Sequence, residues 1–278
     1  MKIIHFGDIH VWRNPVALND PFYPKRYLGA VNLLLNRRKK FPKYLGQQVL
    51  DHILEEEADL VVFSGDLTTA SLKSEFQGAA ELFAPLYEKW KERLIVIPGN
   101  HDRYTAKATR EDWYGDAFPY ARIDGVRVTE LEGNRVVVAF DASRAFMLRS
   151  NGMFDSDLAM LLENTLANLT EKEVILVGHY PVDYPETVTI DPQHELIGRS
   201  ALKKIMTQYP PVVYLHGHKH IRWRLGNAVN CGSCGMLSED VLKQAGYAVI
   251  KLEGGEIVSV DGVHMGAGGE KVLTAGLS

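Results

Sequence analysis

Five short stretches of the 278-residue chain place aspartate, asparagine or histidine beside glycine. They are "GDIH" (Asp8, His10), "GDLT" (Asp66), "GNHD" (Asn100, His101, Asp102), "GHYP" (His179) and "GHKH" (His218, His220). Asp8, His10, Asp66, Asn100, His179, His218 and His220 offer carboxylate, imidazole and one amide oxygen, with no thiolate. That donor set suits divalent first-row ions and disfavours an all-oxygen calcium cage. One ion rarely takes so many protein groups of this kind. Two ions sharing a bridging carboxylate can, and a pair about 3.5–4 Å apart clamps the attacking and leaving oxygens in phosphoryl transfer. A single aspartate at a strand end is usually a turn or a cap, and a single buried histidine is usually a core residue. Five stretches with one coherent set of ligand types point to a site instead.

Elements must bring these residues together. Each stretch closes an apolar run that reads as a strand: residues 2–7, 59–66, 93–102, 173–181 and 211–220. The runs are continuously apolar, as in strands buried on both faces. Helical spacing between them, at 46–57, 73–92, 155–169 and 199–208, makes a βαβ pattern. Asp155 or Ser156 is the expected N-cap of the third helix. In such folds sites form outside the carboxyl ends of the strands, where these loops would converge. Residues 125–143 read as two strands joined by a tight turn. From 221 onward short runs read as consecutive antiparallel strands, and the glycine-rich tail from 261 gives no clear element.

The ordered set D-x-H, G-D, G-N-H-D, G-H and G-H-x-H resembles the calcineurin-like metallophosphoesterase superfamily, from Asp8 to His220. The resemblance implies a four-layer α/β/β/α sandwich of two mixed sheets flanked by helices. It implies a dinuclear site for two divalent ions, with manganese, iron or zinc expected. Asp8, His10 and His220 would hold the first ion, Asp66 would bridge, and Asn100, His179 and His218 would hold the second. His101 would contact the substrate phosphate and protonate the leaving group, with Asp102 orienting its ring. The implied activity is hydrolysis of a phosphodiester or pyrophosphate by a metal-bound hydroxide. One departure from many relatives is Thr69, which stands where they carry aspartate or asparagine three residues after the bridging carboxylate. A membrane-associated UDP-2,3-diacylglucosamine pyrophosphatase of lipid A synthesis is the alternative enzyme. A metal-binding scaffold without turnover is the alternative outside enzymes.

Composition sets the frame: 46% hydrophobic and 24% charged residues, the balance of a soluble globular chain. The length fits one domain over 1–278. Net charge is −4, so nucleic acid is not an expected partner. No apolar run reaches the 18 or so residues of a membrane span, and the first residues lack a secretory pattern. Two cysteines fit a reducing compartment. The expected location is the cytoplasm, with the inner membrane face as a peripheral site. From Arg13 to Tyr44 eight basic residues stand against one acid, so this segment is +7 and the remainder −11. This insertion, at about 13–44, includes an amphipathic helical pattern over 24–42 with a basic rim, suited to an anionic membrane. The substrate is expected to be a small-molecule or lipid-linked phosphoester, with Arg13, Arg103 and Arg144 as candidate phosphate contacts. Cys231 and Cys234 have CxxC spacing without a second pair, which favours a structural role. His216, the first histidine of "HGHKH", is expected to pack at a strand end.

Overall fold

Alternation with period two explains why the apolar runs need two cores. In β5 (Arg135–Phe140), Val137 and Ala139 face the larger core, while Val136, Val138 and Phe140 face the smaller one. The same split recurs in β7 (Glu173–Val177) and β9 (Val213–His216). A strand with helices on one face and another sheet on the other must be apolar on both.

The computed structural model describes residues 1–13, 38–146, 149–266, 270–274 and 276–277. The first sheet has the order β14-β13-β12-β1-β2-β3. Its parallel part is β1 (Lys2–Phe6), β2 (Leu60–Phe63) and β3 (Leu94–Val96). Its antiparallel part is β12 (Gly246–Glu253), β13 (Glu256–Met265) and β14 (Lys271–Thr274). The second sheet has the order β10-β11-β9-β7-β5-β4, with β4 at Val126–Glu130, β10 at Arg222–Leu225 and β11 at Ala228–Cys231. A short third pair joins β6 (Gly152–Met153) to β8 (Leu196–Ile197).

Helices α1 (Lys43–Glu55) and α2 (Lys73–Trp90) cover the first sheet with Val49, Leu50, Ile53, Phe76, Phe83 and Leu86. Helices α3 (Ser156–Ala167) and α4 (Arg199–Gln208) cover the second with Leu158, Leu162, Leu166, Leu202 and Ile205. The result is the expected α/β/β/α sandwich. The cap of α3 is Asp155, whose Oδ1 accepts the Leu158 N–H at 3.0 Å, a contact worth about 1 kcal/mol.

The end of the chain differs from its sequence reading. β10 and β11 pair antiparallel, but β11 then lies parallel to β9, and β12 crosses to the first sheet beside β1. The tail is not structureless: β13 runs to Met265 and β14 pairs with it. Of the 24–42 segment, residues up to 37 lie outside the described residues, and Arg38–Lys40 form one helical turn.

Candidate metal centre

The parallel strands β1, β2 and β3 of one sheet and β7 and β9 of the other end at a common edge, and all five motif loops follow those ends. The loop after β1 pairs with the loop after β2: Asp8 N–H donates to Gly65 O at 2.9 Å and His10 N–H to Asp66 O at 3.1 Å. Eight described non-glycine residues have positive φ, and five of them are Asp8, His10, Asp66, His218 and His220, at 51–74°. Such conformations cost roughly 1–3 kcal/mol each and persist where surrounding structure enforces them, typically at functional sites. Glycine gives the remaining room. A Cβ on Gly65, whose φ is +107°, would lie 2.5 Å from His179 Nδ1, and one on Gly217 would lie 2.5 Å from Asp8 Oδ2.

Two groups of donor atoms result, sharing one carboxylate: Asp8, His10, Asp66 and His220, and Asp66, His179 and His218. In the first, His10 Nε2 and His220 Nε2 are 3.0 Å apart, and His220 Nε2 is 3.1 Å from Asp8 Oδ1. Two nitrogens about 2.1 Å from a common ion at right angles have that separation. Asp66 faces the groups with different oxygens: Oδ2 is 3.7 Å from His10 Nε2 and Oδ1 is 3.6 Å from His179 Nε2. Asn100 Oδ1, 3.2 Å from His179 Nε2, adds an amide oxygen to the second group. Asp8 Oδ1 is buried with no hydrogen-bond donor. An orphaned carboxylate oxygen in a buried site calls for a cation. The residues present therefore fit divalent ions in both groups.

One stretch, Ser64 to Thr69, orients three of the imidazoles. His179 Nδ1 lies 2.7 Å from Ser64 O, His10 Nδ1 3.3 Å from Thr68 O, and His101 Nδ1 2.6 Å from Thr69 O. A carbonyl only accepts, so each Nδ1 carries a proton and Nε2 is the nitrogen left to face the site. His218 is reversed. Its Nε2 donates to His194 O at 2.8 Å, so Nδ1 is its ligating nitrogen. Electrostatics follow from the geometry. Burial alone would raise the Asp66 pKa, but His179, His101 and His10 hold it well below the ordinary carboxylate value. Burial alone would lower that of His179, but Asp66 carries it up to about 9.

A model of the calcineurin-like phosphoesterases matches residues 1–222. The chain belongs to the calcineurin-like phosphoesterase family. It is thus a metallophosphoesterase by family, with candidate ligands for divalent metals. A probable glycerophosphodiester phosphodiesterase from Arcobacter nitrofigilis is 27% identical over 173 residues, 60% of this chain. The match spans 58% of that relative's length. Among solved structures, a dimetal phosphatase from Danio rerio superimposes over 100% of this chain and 99% of its own, with TM-score 0.64 and 14% identity. A purple acid phosphatase from yellow lupin does so over 99% of this chain and 53% of its own, with TM-score 0.55 and 14% identity. At these identities the likeness is one of fold.

Two residues of the chain differ from their sequence reading. Asp102 is not the group that orients His101. Its carboxylate accepts from Gly99 N (2.9 Å), Leu67 N (3.0 Å), Thr68 N (2.8 Å) and Thr68 Oγ1 (2.9 Å), tying the loops after β2 and β3 together. The Thr69 carbonyl holds the His101 ring instead. Burial, then Asp66, pushes the Asp102 pKa up to about 7. Arg103 is buried against Asp141 at 3.2 Å and Asp112 at 3.1 Å, so its guanidinium is committed to structure rather than to a phosphate. Arg144 Nη1 donates to Ser143 O at 2.9 Å and Asp141 O at 3.3 Å. Arg13, 3.6 Å from Glu81, lines a hollow of about 670 Å³ that also touches His10.

Other contributors had no signal in the motif. Phe41, from the end of the insertion, sets its ring 4.7 Å from that of His10 and 5.5 Å from that of His220, sealing the first group with apolar surface. Thr69 Oγ1 donates to His10 O at 3.0 Å, a second tie at the position that departs from many relatives. The CxxC loop is a buttress: both thiols are buried, and Ser233 Oγ donates to Asp8 O at 2.7 Å. His216 is buried between the rings of Tyr214 and Trp223, and burial takes its pKa down to about 3.

Proposed function

We propose that the chain is a dinuclear metal-dependent phosphodiesterase. The observation that carries this reading is the Asp66 carboxylate, which turns one oxygen towards each of two histidine-containing groups, with the His101 ring 4.8 Å from that of His10. Asp8, His10, His220 and Asp66 would hold one ion, and Asp66, Asn100, His179 and His218 the other. When bound, such a pair supplies Lewis acidity that acidifies water and offsets charge on phosphoryl oxygens. The mixed donors favour manganese, iron or zinc.

The chain's own residues do the rest. Water adds to phosphorus and gives up a proton to solvent, the bond to the leaving oxygen breaks, and that oxygen takes a proton. His101 supplies the proton from Nε2 when its ring is charged, and its Nδ1–H stays on the Thr69 carbonyl throughout, so the ring does not turn. The strained loops keep the donors in place before substrate arrives. The glycerophosphodiester phosphodiesterase relative supports a diester as substrate, and a small or lipid-linked diester fits the chemistry. Turnover of a panel with manganese tests this: bis(p-nitrophenyl) phosphate, glycerophosphodiesters, cyclic nucleotides, UDP-2,3-diacylglucosamine and p-nitrophenyl phosphate. Diesters should be hydrolysed fastest. Preference for UDP-2,3-diacylglucosamine would replace the diester with a pyrophosphate, and metal-replete protein inert to the whole panel would make the chain a scaffold.

A further inference from the structure

We infer that the loop 237–243, together with Lys39, Lys40 and Tyr44, is a docking surface for an anionic lipid interface. Leu237 (55% exposed), Val241 (42%) and Leu242 (40%) present large apolar side chains to solvent within six residues. Leu237 N–H donates to Lys40 O at 2.8 Å, which joins the loop to the short helix that precedes α1 and the exposed Tyr44. One exposed leucine needs no explanation, but a cluster does.

The loop is held in place, not loose. Arg222, only 2% exposed, donates from Nη2 to Val241 O (2.5 Å) and from Nη1 to Gln244 O (2.8 Å), and its backbone N–H donates to Leu242 O (2.8 Å). Asp240 Oδ1 accepts the Leu242 N–H at 3.0 Å. Buried polar contacts therefore fix a loop whose apolar tips face water.

Charge selects the partner. Lys39, Lys40 and Lys243 stand against Glu239 and Asp240, and Asp240 is paired with Lys243 at 2.8 Å. The surface is net positive on a chain of net charge −4. Protein interfaces favour aromatic residues and arginine and are depleted of lysine. Leucine and valine tips rimmed by lysine match a lipid surface, where each lysine adds about 1 kcal/mol near anionic headgroups. Ser233 and Cys234, just ahead of this loop, hold Asp8 O and Gly7 O, which links the surface to the candidate metal centre. This inference does not rest on the identity of the substrate.

Sedimentation of the full chain with phosphatidylglycerol–phosphatidylcholine vesicles, and with phosphatidylcholine alone, tests it. The protein should sediment with the anionic vesicles and be released by salt. Leu237→Glu/Val241→Glu, and the milder Leu237→Ser/Val241→Ser, should lower the bound fraction roughly tenfold or more, as should Lys39→Glu/Lys40→Glu. All three should keep the parent's melting temperature and its rate on bis(p-nitrophenyl) phosphate. No binding to anionic vesicles, equal binding to neutral ones, or variants that bind like the parent would overturn the proposal. So would a dimer in the absence of lipid that the Leu237/Val241 variants dissociate, because the surface would then belong to a second copy.

Discussion

The loops Ser64–Thr69 and Gly217–His220 reach the same centre by different means. The first contributes one candidate ligand, Asp66, but its carbonyls orient His10, His101 and His179. The second contributes His218 and His220, one to each group, and takes its position from outside. Asp8 Oδ2 accepts the His218 N–H at 3.1 Å, Asn230 Nδ2 donates to Gly217 O at 2.6 Å, and His194 O accepts from His218 Nε2. One loop is a template and the other a pair of attachments. Damage to the template should spread to both groups, and damage to the second loop should stay in one.

The largest effect should come from Asp66→Asn, which weakens the shared carboxylate. Loss of several kcal/mol of charge stabilisation is a drop of about 10³-fold or more in kcat, with metal lost from both groups. Steady-state kinetics with metal analysis would show it, and loss from one group alone would break the template idea. Next is His101→Ala, which removes a side chain the template orients but no ligand. Turnover should fall about 10²–10⁴-fold with metal content intact; a fall in metal content would make His101 a ligand instead. Asp102→Asn comes third. An amide cannot accept all four hydrogen bonds, so N–H would face N–H between the loops after β2 and β3. Activity and metal affinity should drop together about 10–100-fold, and parent-like values in both would show that the tie is dispensable.

The smallest effect concerns Glu75, which supports the template from outside. It is fully buried, its Oε2 accepts the Ala70 and Leu72 N–H groups at 2.9 and 3.1 Å, and burial raises its pKa from 4.5 to about 7. A raised carboxyl pKa favours the folded state fully below pH 4.5, and that contribution is lost as pH rises through 7. The loss is on the order of 3 kcal/mol. Glu75→Gln should remove it, so the variant should gain on the parent in urea midpoint between pH 5 and pH 8. A constant difference across that range would show that Glu75 does not titrate there.

The two loops also differ in how far they can be read from sequence. His218 and His220 announce themselves by type and spacing, as do Asp8, His10, Asp66, Asn100 and His179. The layers follow from the apolar runs and the helical spacing. The template is silent, because every residue has a carbonyl and nothing in "SGDLTT" says which way Ser64, Thr68 and Thr69 point theirs. Asp102 misleads because it follows His101 directly, yet its carboxylate turns back under the loop. Arg103 is next to the motif but meets Asp112 nine residues on and Asp141 from a distant strand end. The strand β14 hides in a tail whose glycines mask alternation.

The central claim is that Asp66 joins two groups of ligands. Metal content per chain, measured after manganese loading and gel filtration on the parent, His218→Ala, His220→Ala and Asp66→Asn, tests it most directly. About two ions in the parent, about one in each histidine variant and less than one in Asp66→Asn is the expected result. A parent that holds one ion, or Asp66→Asn protein that still holds two, would contradict it.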